Sequence, residues 1–106
     1  MLFRSKLFRL SRTIASAAPL KVGERSGSDI YESVCSACHS RAVTGVPQLG
    51  VASDWVMQRA KPKPELMKNV VSGINDMPEK GNCNDCTDAE LARAVDYMLE
   101  SLEPKR

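Results

Sequence analysis

The chain has 106 residues, of which 42% are hydrophobic but only 5% aromatic, with a formal net charge of +2 at pH 7. This length allows one small domain, and a core with so few rings is expected to need a disulfide, a metal or a bound group. Residues 1–25 carry a balance of +5 and residues 26–106 a balance of −3, so the body is mildly acidic and nothing in it indicates nucleic-acid binding.

Residues 1–26 are predicted to be a poorly ordered leader, tail or targeting segment. The start is basic and ASA at 15–17 resembles a cleavage site, but an apolar run of export-signal length is missing. The lack of acidic residues before Glu24 also suits an organelle presequence. Alternatively, residues 1–18 could associate with a membrane surface as a short amphipathic helix. No stretch approaches the ~18 apolar residues of a membrane span.

After the leader, the pattern is helical and is interrupted by loops. Ser28 is placed to cap a first helix that runs into Cys35. Residues 40–52 contain glycine and proline at close spacing and are predicted to form an irregular loop. A short helix is expected to begin at Ser53 and to include Trp55.

The second half of the chain has clear helix boundaries. Pro64 suits the first turn of a helix that ends at Gly73, and residues 74–86 are again a loop. Thr87 and Glu90 form a capping box at the start of the last helix. No window alternates with a period of two, so the sequence predicts an all-α fold of three to five short helices. Loops this long usually wrap around something.

Residues 35–39 read CSACH and contain the only histidine of the chain. Cys35 and Cys38 face the same way on a helical turn, so their sulfurs can bond to the two vinyl groups on one edge of a porphyrin. His39 can then reach the iron as the proximal ligand. Cys-x-x-Cys-His is the attachment signature of c-type haem, and it predicts one covalent haem c.

Other readings use the same thiols. Cys83 and Cys86 form a second CxxC, so the four cysteines could make a structural zinc site. However, 44 residues separate Cys38 from Cys83, whereas zinc ribbons have about 15–20, and zinc leaves the histidine unexplained. A thioredoxin-like site would need strands around it. A simple Cys35–Cys38 disulfide would make the histidine a bystander.

The sixth iron position can be filled by methionine or left open, since the chain has no second histidine. Met67 and Met98 lie on apolar helix faces, and Met57 is indecisive. Met77 lies in a polar loop and is followed by Pro78, so we predict that Met77 is the sixth ligand. Iron closed on both sides can only exchange electrons, which predicts an electron carrier and not an enzyme. Five-coordinate iron would instead suit a gas sensor or a peroxidase-like enzyme.

CSACH, Met77-Pro78 and the helix containing Tyr97 resemble class I c-type cytochromes, most of all the bacterial cytochrome c5 group. The resemblance covers residues 27–102 and implies a small cytochrome c fold around one haem, with residues 27–106 as its domain. It also implies that Gly27 and Tyr31 of the first helix meet Ala94 and Tyr97 of the last.

The resemblance assigns roles to several further residues. The carbonyl of Pro47 would accept a hydrogen bond from the ring of His39, and Trp55 would point toward a haem propionate. Cys83 and Cys86 would form a disulfide. Many relatives have arginine where this chain has Gln58, so either Arg59 or Lys61 is expected to neutralise the propionates.

Membership of this group also implies partners and a location. The carrier would exchange electrons transiently with redox proteins of a respiratory or related chain, such as an oxidase, a reductase or a cytochrome complex. It would lie in the periplasm, or on a membrane facing the periplasm. The unusual leader leaves an organelle intermembrane space as an alternative.

Overall fold

The structure, a computed structural model, describes residues 24–103, and the predictions for 1–23 and 104–106 lie outside that range. The described residues contain four helices and two 3-10 turns. They are α1 (residues 27–39, in the consecutive segments Gly27–Ile30, Tyr31–Cys35 and Ser36–His39), the turn Ala52–Trp55, α2 (Val56–Arg59), α3 (Lys63–Ser72), the turn Glu79–Asn82 and α4 (Asp88–Glu100).

Between residues 24 and 103 the only extended pairing is an isolated bridge between Ile74 and Met77. The prediction of an all-α fold with three to five short helices is therefore confirmed. No helix in this part of the chain is long and apolar enough to cross a membrane.

The cap of α1 lies two residues earlier than predicted. The Ser26 hydroxyl accepts a hydrogen bond from the Asp29 N–H at 3.1 Å, whereas Ser28 lies inside the first turn. The assignment of the cap to Ser28 was therefore wrong. The acidic residue three positions after Ser26 is the signal that distinguishes the two serines, because this spacing is typical of a helix start.

The first and last helices cross at Gly27. A Cβ atom on Gly27 would lie 2.2 Å from the Arg93 carbonyl oxygen and 3.2 Å from Cβ of Tyr97, so no side chain fits there. One turn later the rings of Tyr31 and Tyr97 lie 5.4 Å apart. Gly27 thus meets Arg93 and Tyr97, while Ala94, its partner in the resemblance, is buried in the core beside Ile30.

The core consists of two clusters of buried side chains, and Cys35 is packed against both. The first cluster joins α1, α4 and the second cysteine pair, and the second joins α1, α4 and the turn before α2. Their members are Ile30, Cys83, Cys86, Leu91 and Ala94 in the first, and Tyr31, Trp55, Met98 and Leu102 in the second. A group bonded to the Cys35 sulfur is therefore anchored where the two clusters adjoin.

The predicted boundaries of α3 and α4 are confirmed. Pro64 lies in the first turn of α3, and Gly73 ends this helix with a φ of +88°. At the start of α4, the Thr87 hydroxyl accepts from the Glu90 N–H and the Glu90 carboxylate accepts from the Thr87 N–H.

Residues 24–26, which the sequence placed in the leader, run along α4. Glu24 forms an ion pair with Arg93 at 3.2 Å. Arg25 donates through Nε and its backbone N–H to one carboxylate oxygen of Glu90, at 3.0 and 2.9 Å. The folded body therefore includes Glu24 and Arg25, because their charges complement those of α4.

Candidate haem site

The two cysteines of CSACH lie at the end of α1 with both thiols free. Residues Tyr31–Cys35 form a π-helical turn, a rare geometry that is frequent at functional sites. Cys35 is half-buried and Cys38 is exposed. Burial raises the pKa of the Cys35 thiol, because an apolar environment disfavours the thiolate. The structure therefore presents a half-buried thiol and an exposed one, and does not join them in a disulfide.

The ring of His39 is held by the loop that follows it. Nδ1 of His39 lies 2.6 Å from the Pro47 carbonyl oxygen. A carbonyl can only accept, so Nδ1 is the donor, and in the neutral imidazole Nε2 then keeps a free lone pair. The backbone carbonyl of His39 accepts from the Leu49 N–H at 2.9 Å, which ties the same loop to the helix end. Such a backbone partner is how proteins orient a metal-binding imidazole.

The ring of Trp55 stacks on the ring of this histidine. Its side chain is buried, and its ring lies 5.9 Å from the His39 ring, with the two planes 27° apart. The indole N–H donates to the Gln48 carbonyl at 2.8 Å. That hydrogen bond occupies the polar atom of Trp55, so the role toward a propionate that the resemblance implies stays a prediction.

Sequence reasoning missed Gln48. Its amide nitrogen donates to the carbonyls of Cys38 and Val46, at 3.0 and 2.9 Å, and its amide oxygen accepts from the Ala42 N–H at 2.9 Å. Gln48 thus folds the loop back onto the haem-attachment motif. The only signal in the sequence is a long amide side chain inside a Gly/Pro-rich loop, which does not reveal what the amide will contact.

Arg59 and Lys61, the two cations expected near the propionates, lie in different surroundings. Arg59 pairs with Glu103 at 3.4 Å, and Lys61 is half-buried. Beside them, Gln58 has a buried amide oxygen without a hydrogen-bond partner among the described residues. It lines a cavity of about 410 Å³ together with Pro47, among others.

A buried amide oxygen without a partner fits a haem carboxyl group at this place. Such a side chain can donate to a carboxylate or accept from a protonated carboxyl, depending on which way the amide is turned. Together with the two free thiols and the oriented His39, Gln58 makes the donor set compatible with a haem.

Met77 is half-buried and closes a tight turn whose tip is formed by Asn75 and Asp76. Its backbone N–H donates to the Ile74 carbonyl at 2.8 Å, and its carbonyl accepts from the Ile74 N–H at 3.1 Å. The methyl carbon of its side chain lies 3.6 Å from where a Cβ on Gly81 would be. The thioether sulfur is a neutral acceptor of the kind that binds haem iron.

Cys83 and Cys86 are joined in a disulfide, with Cα atoms 5.4 Å apart, and both are buried. Sulfurs bonded to each other cannot serve as thiolate ligands. The alternative of a four-cysteine zinc site is therefore wrong.

Comparisons with known proteins find relatives that cover most of the chain. The profile of the family described as "Cytochrome C oxidase, cbb3-type, subunit III" matches residues 23–98. A protein of Ectopseudomonas mendocina called cytochrome c5 is 41% identical over 85 residues, which cover 77% of this chain and 97% of that protein.

Two solved structures are similar in fold as well as in sequence. One is a mono-haem ferrocytochrome c from Shewanella putrefaciens, with a TM-score of 0.63 and 37% identity over 76% of this chain and 95% of that one. The other belongs to an electron transfer complex of nitrite reductase with cytochrome c. It has a TM-score of 0.68 and 31% identity, over 73% of this chain and 94% of that one.

Proposed function

This chain belongs to the class I c-type cytochromes of the cytochrome c5 group, and we propose that its haem c is bonded to Cys35 and Cys38 and ligated by His39 and Met77. It is a monohaem electron carrier. When bound, the haem supplies an iron that takes up and releases one electron at a time. The remaining question is what each residue of this chain contributes.

The observation that carries the assignment is the contact between His39 and Pro47. Because Nδ1 donates to the Pro47 carbonyl oxygen, 2.6 Å away, Nε2 is the nitrogen left to bind iron. His39 also follows Cys38 directly, at the end of the same helix. Attachment of a group at both thiols would therefore bring it to the imidazole without any change in how the ring is oriented.

Met77 is proposed as the sixth ligand. Ligation by a neutral thioether disfavours the extra positive charge of ferric iron, and so raises the reduction potential. It also closes the second side of the iron to oxygen and peroxide. For this reason we infer that the protein transfers electrons without catalysing a reaction of its own.

Replacement of this methionine tests the proposal. We expect Met77→Ala to lower the reduction potential and to allow carbon monoxide to bind the reduced protein, because the iron then lacks the proposed sixth ligand. The measurements are a redox titration and the visible spectrum under carbon monoxide.

Met57→Ala is the matched control, since Met57 is 71% exposed on α2. It should keep both the potential and the closed iron of the unmodified protein. If the unmodified protein already binds carbon monoxide readily, the iron is five-coordinate. The proposal of a closed iron site is then wrong, and the sensor or peroxidase-like alternative takes its place.

The proposed partners are redox proteins met transiently, such as an oxidase, a reductase or a cytochrome complex. One of the similar structures is a cytochrome c in an electron transfer complex with nitrite reductase, which supports partners of this kind. Electron-transfer contacts are typically small, and the exposed Cys38 marks the side where the haem edge would be accessible.

We also propose a periplasmic location, which is consistent with the buried Cys83–Cys86 disulfide because disulfides persist in oxidising compartments. The intermembrane space of an organelle remains the alternative. Membrane association through residues 1–18 lies outside the described residues and stays a prediction.

A further inference from the structure

Gly73 has a backbone conformation that side chains rarely allow. It ends α3 with φ +88° and ψ 153°, and its N–H donates to the Asn69 carbonyl at 2.8 Å. This region of backbone space is essentially restricted to glycine. Gly73 thus sends the chain out of α3 in a direction that an L-residue would not take.

The same glycine lies against the backbone around Met77. A Cβ on Gly73 would lie 2.9 Å from the Met77 carbonyl oxygen, 3.1 Å from the Glu79 nitrogen and 3.2 Å from the Pro78 carbonyl carbon. All three neighbours are backbone atoms, which cannot swing aside as the end of a flexible side chain can. The contact is therefore rigid on both sides.

The turn from Ile74 to Met77 is restrained by its own hydrogen bonds. Ile74 and Met77 exchange two backbone hydrogen bonds, at 2.8 and 3.1 Å, directly after Gly73. On the other side, Lys80, Gly81 and Asn82 all have positive φ, and the chain then enters the disulfide at Cys83. The backbone of Met77 is thus held by its own turn with Ile74 and by the end of α3, and the left-handed turn begins only after it.

We propose that Gly73 is a positioning residue for the bond between the Met77 sulfur and the haem iron. The absence of a side chain lets the backbone of residues 77–79 rest on the end of α3, and this contact determines where Met77 presents its sulfur. The inference rests on Met77 being the sixth ligand, as proposed above.

Gly73→Ala is the test. The new methyl group must displace the Met77 carbonyl and the Glu79 nitrogen, so the ferric iron–sulfur bond should weaken. We expect the far-red absorption band of thioether-ligated ferric haem to shrink. The apparent affinity of ferric protein for cyanide, which competes with the methionine, should rise at least about tenfold, equivalent to ~1.4 kcal/mol of weaker ligation.

Gly81→Ala is the control within the same loop. Gly81 has a φ of +59°, and a Cβ there would make ordinary contact with the Met77 methyl group at 3.6 Å. Alanine in this left-handed conformation is strained, but it has no backbone atom to displace. The band and the cyanide affinity should stay within about threefold of the unmodified protein.

The outcomes separate this inference from the ligand assignment. If unmodified protein shows the band and Met77→Ala loses it, but Gly73→Ala keeps both band and affinity, then Gly73 does not position the ligand. If unmodified protein lacks the band, or Met77→Ala retains it, the ligand assignment itself fails.

A second variant covers the case in which Gly73→Ala does not mature. Asn75 is exposed and has a φ of +52°, so Asn75→Ala strains the same turn without a clash. It should raise the cyanide affinity by more than about threefold but less than about tenfold. An affinity equal to that of the unmodified protein would show that the turn does not hold Met77, and it would overturn the role of Gly73, which acts through this turn.

Discussion

At the scale of single residues, the proximal side of the site depends on a chain of contacts that begins at the ring of His39. The Pro47 carbonyl holds Nδ1, and Trp55 packs against the ring while its N–H donates to the Gln48 carbonyl. Gln48 in turn binds the backbone of Cys38. The imidazole is thereby oriented by the same loop that is attached to the haem-binding motif.

This arrangement predicts the effect of removing one donor. Trp55→Phe keeps most of the packed surface but removes one of the two hydrogen bonds that the Gln48 carbonyl accepts, the other coming from the Val51 N–H at 3.1 Å. The loss of this hydrogen bond should cost about 1 kcal/mol of unfolding free energy. Denaturant unfolding of the haem-containing protein measures it. Val56→Ala, at a neighbouring side chain that is 66% exposed, should change stability by less than about 0.5 kcal/mol.

The reduction potential of the same variant discriminates the two roles of Trp55. If the indole N–H contacts only Gln48, the potential should be unchanged while stability falls. A changed potential with unchanged stability would instead show that Trp55 interacts with a propionate, as the resemblance implies, and would contradict the contact with Gln48.

At the scale of elements, the start of α4 is held together by one buried carboxylate. Glu90 completes the capping box with Thr87 and binds both the guanidinium and the backbone N–H of Arg25. The Arg25 side chain is the main cause that lowers the pKa of Glu90 to about 2, followed by the N–H of Thr87. One side chain thus caps the last helix and fastens the segment before the first.

The lowered pKa gives stability a defined dependence on pH. An unfolded glutamate titrates at about 4.3, so the stability that ionised Glu90 contributes is fully present above that pH and is lost as the pH falls toward 2. Glu90→Gln should therefore be less stable than the unmodified protein at pH 7, and the gap should narrow between about pH 4.3 and 2.

Denaturant unfolding at several pH values measures this gap. Glu100→Gln changes an exposed carboxylate at the other end of the same helix, and the curve for this control should run parallel to that of the unmodified protein. A constant gap between Glu90→Gln and the unmodified protein at every pH would contradict the ion pair as its cause.

At the scale of the whole molecule, the core is small and divided. Its two buried clusters are joined at Cys35, and the first of them includes both sulfurs of the Cys83–Cys86 disulfide. A body of this size buries a smaller share of its surface than a large domain does. Covalent links therefore carry more of the stability here, and the disulfide connects the Met77 turn to the start of α4.

Replacing both cysteines by alanine should lower the free energy of unfolding by about 2 kcal/mol, since the ring that the disulfide closes is short. Denaturant unfolding of the double variant and of the unmodified protein with and without reductant measures this. Reductant should leave the double variant unaffected. An unchanged midpoint for the unmodified protein after verified reduction would show that packing alone holds the turn.

The sequence was most informative where chemistry requires a fixed local spacing. The CSACH motif, the capping box at Thr87 and Glu90 and the glycine that ends α3 could be identified in this way, because each depends only on residues within one or two turns. The resemblance to the cytochrome c5 group then identified the fold and the function, and both are confirmed.

Contacts between distant residues could not be identified in that way. The pairing of Arg25 with Glu90 spans 65 positions, and the carbonyls that Gln48 contacts are defined only once the loop has folded. The cap of α1 was misplaced for a related reason, since Ser26 and Ser28 are both able to cap and Asp29 decides between them. Local spacing thus determined the haem-binding motif and the helices. The loop after His39, the contacts of Arg25 and the packing of the Met77 backbone on Gly73 were decided by tertiary structure, because hydrogen bonds and steric limits act between atoms that only the folded chain brings together.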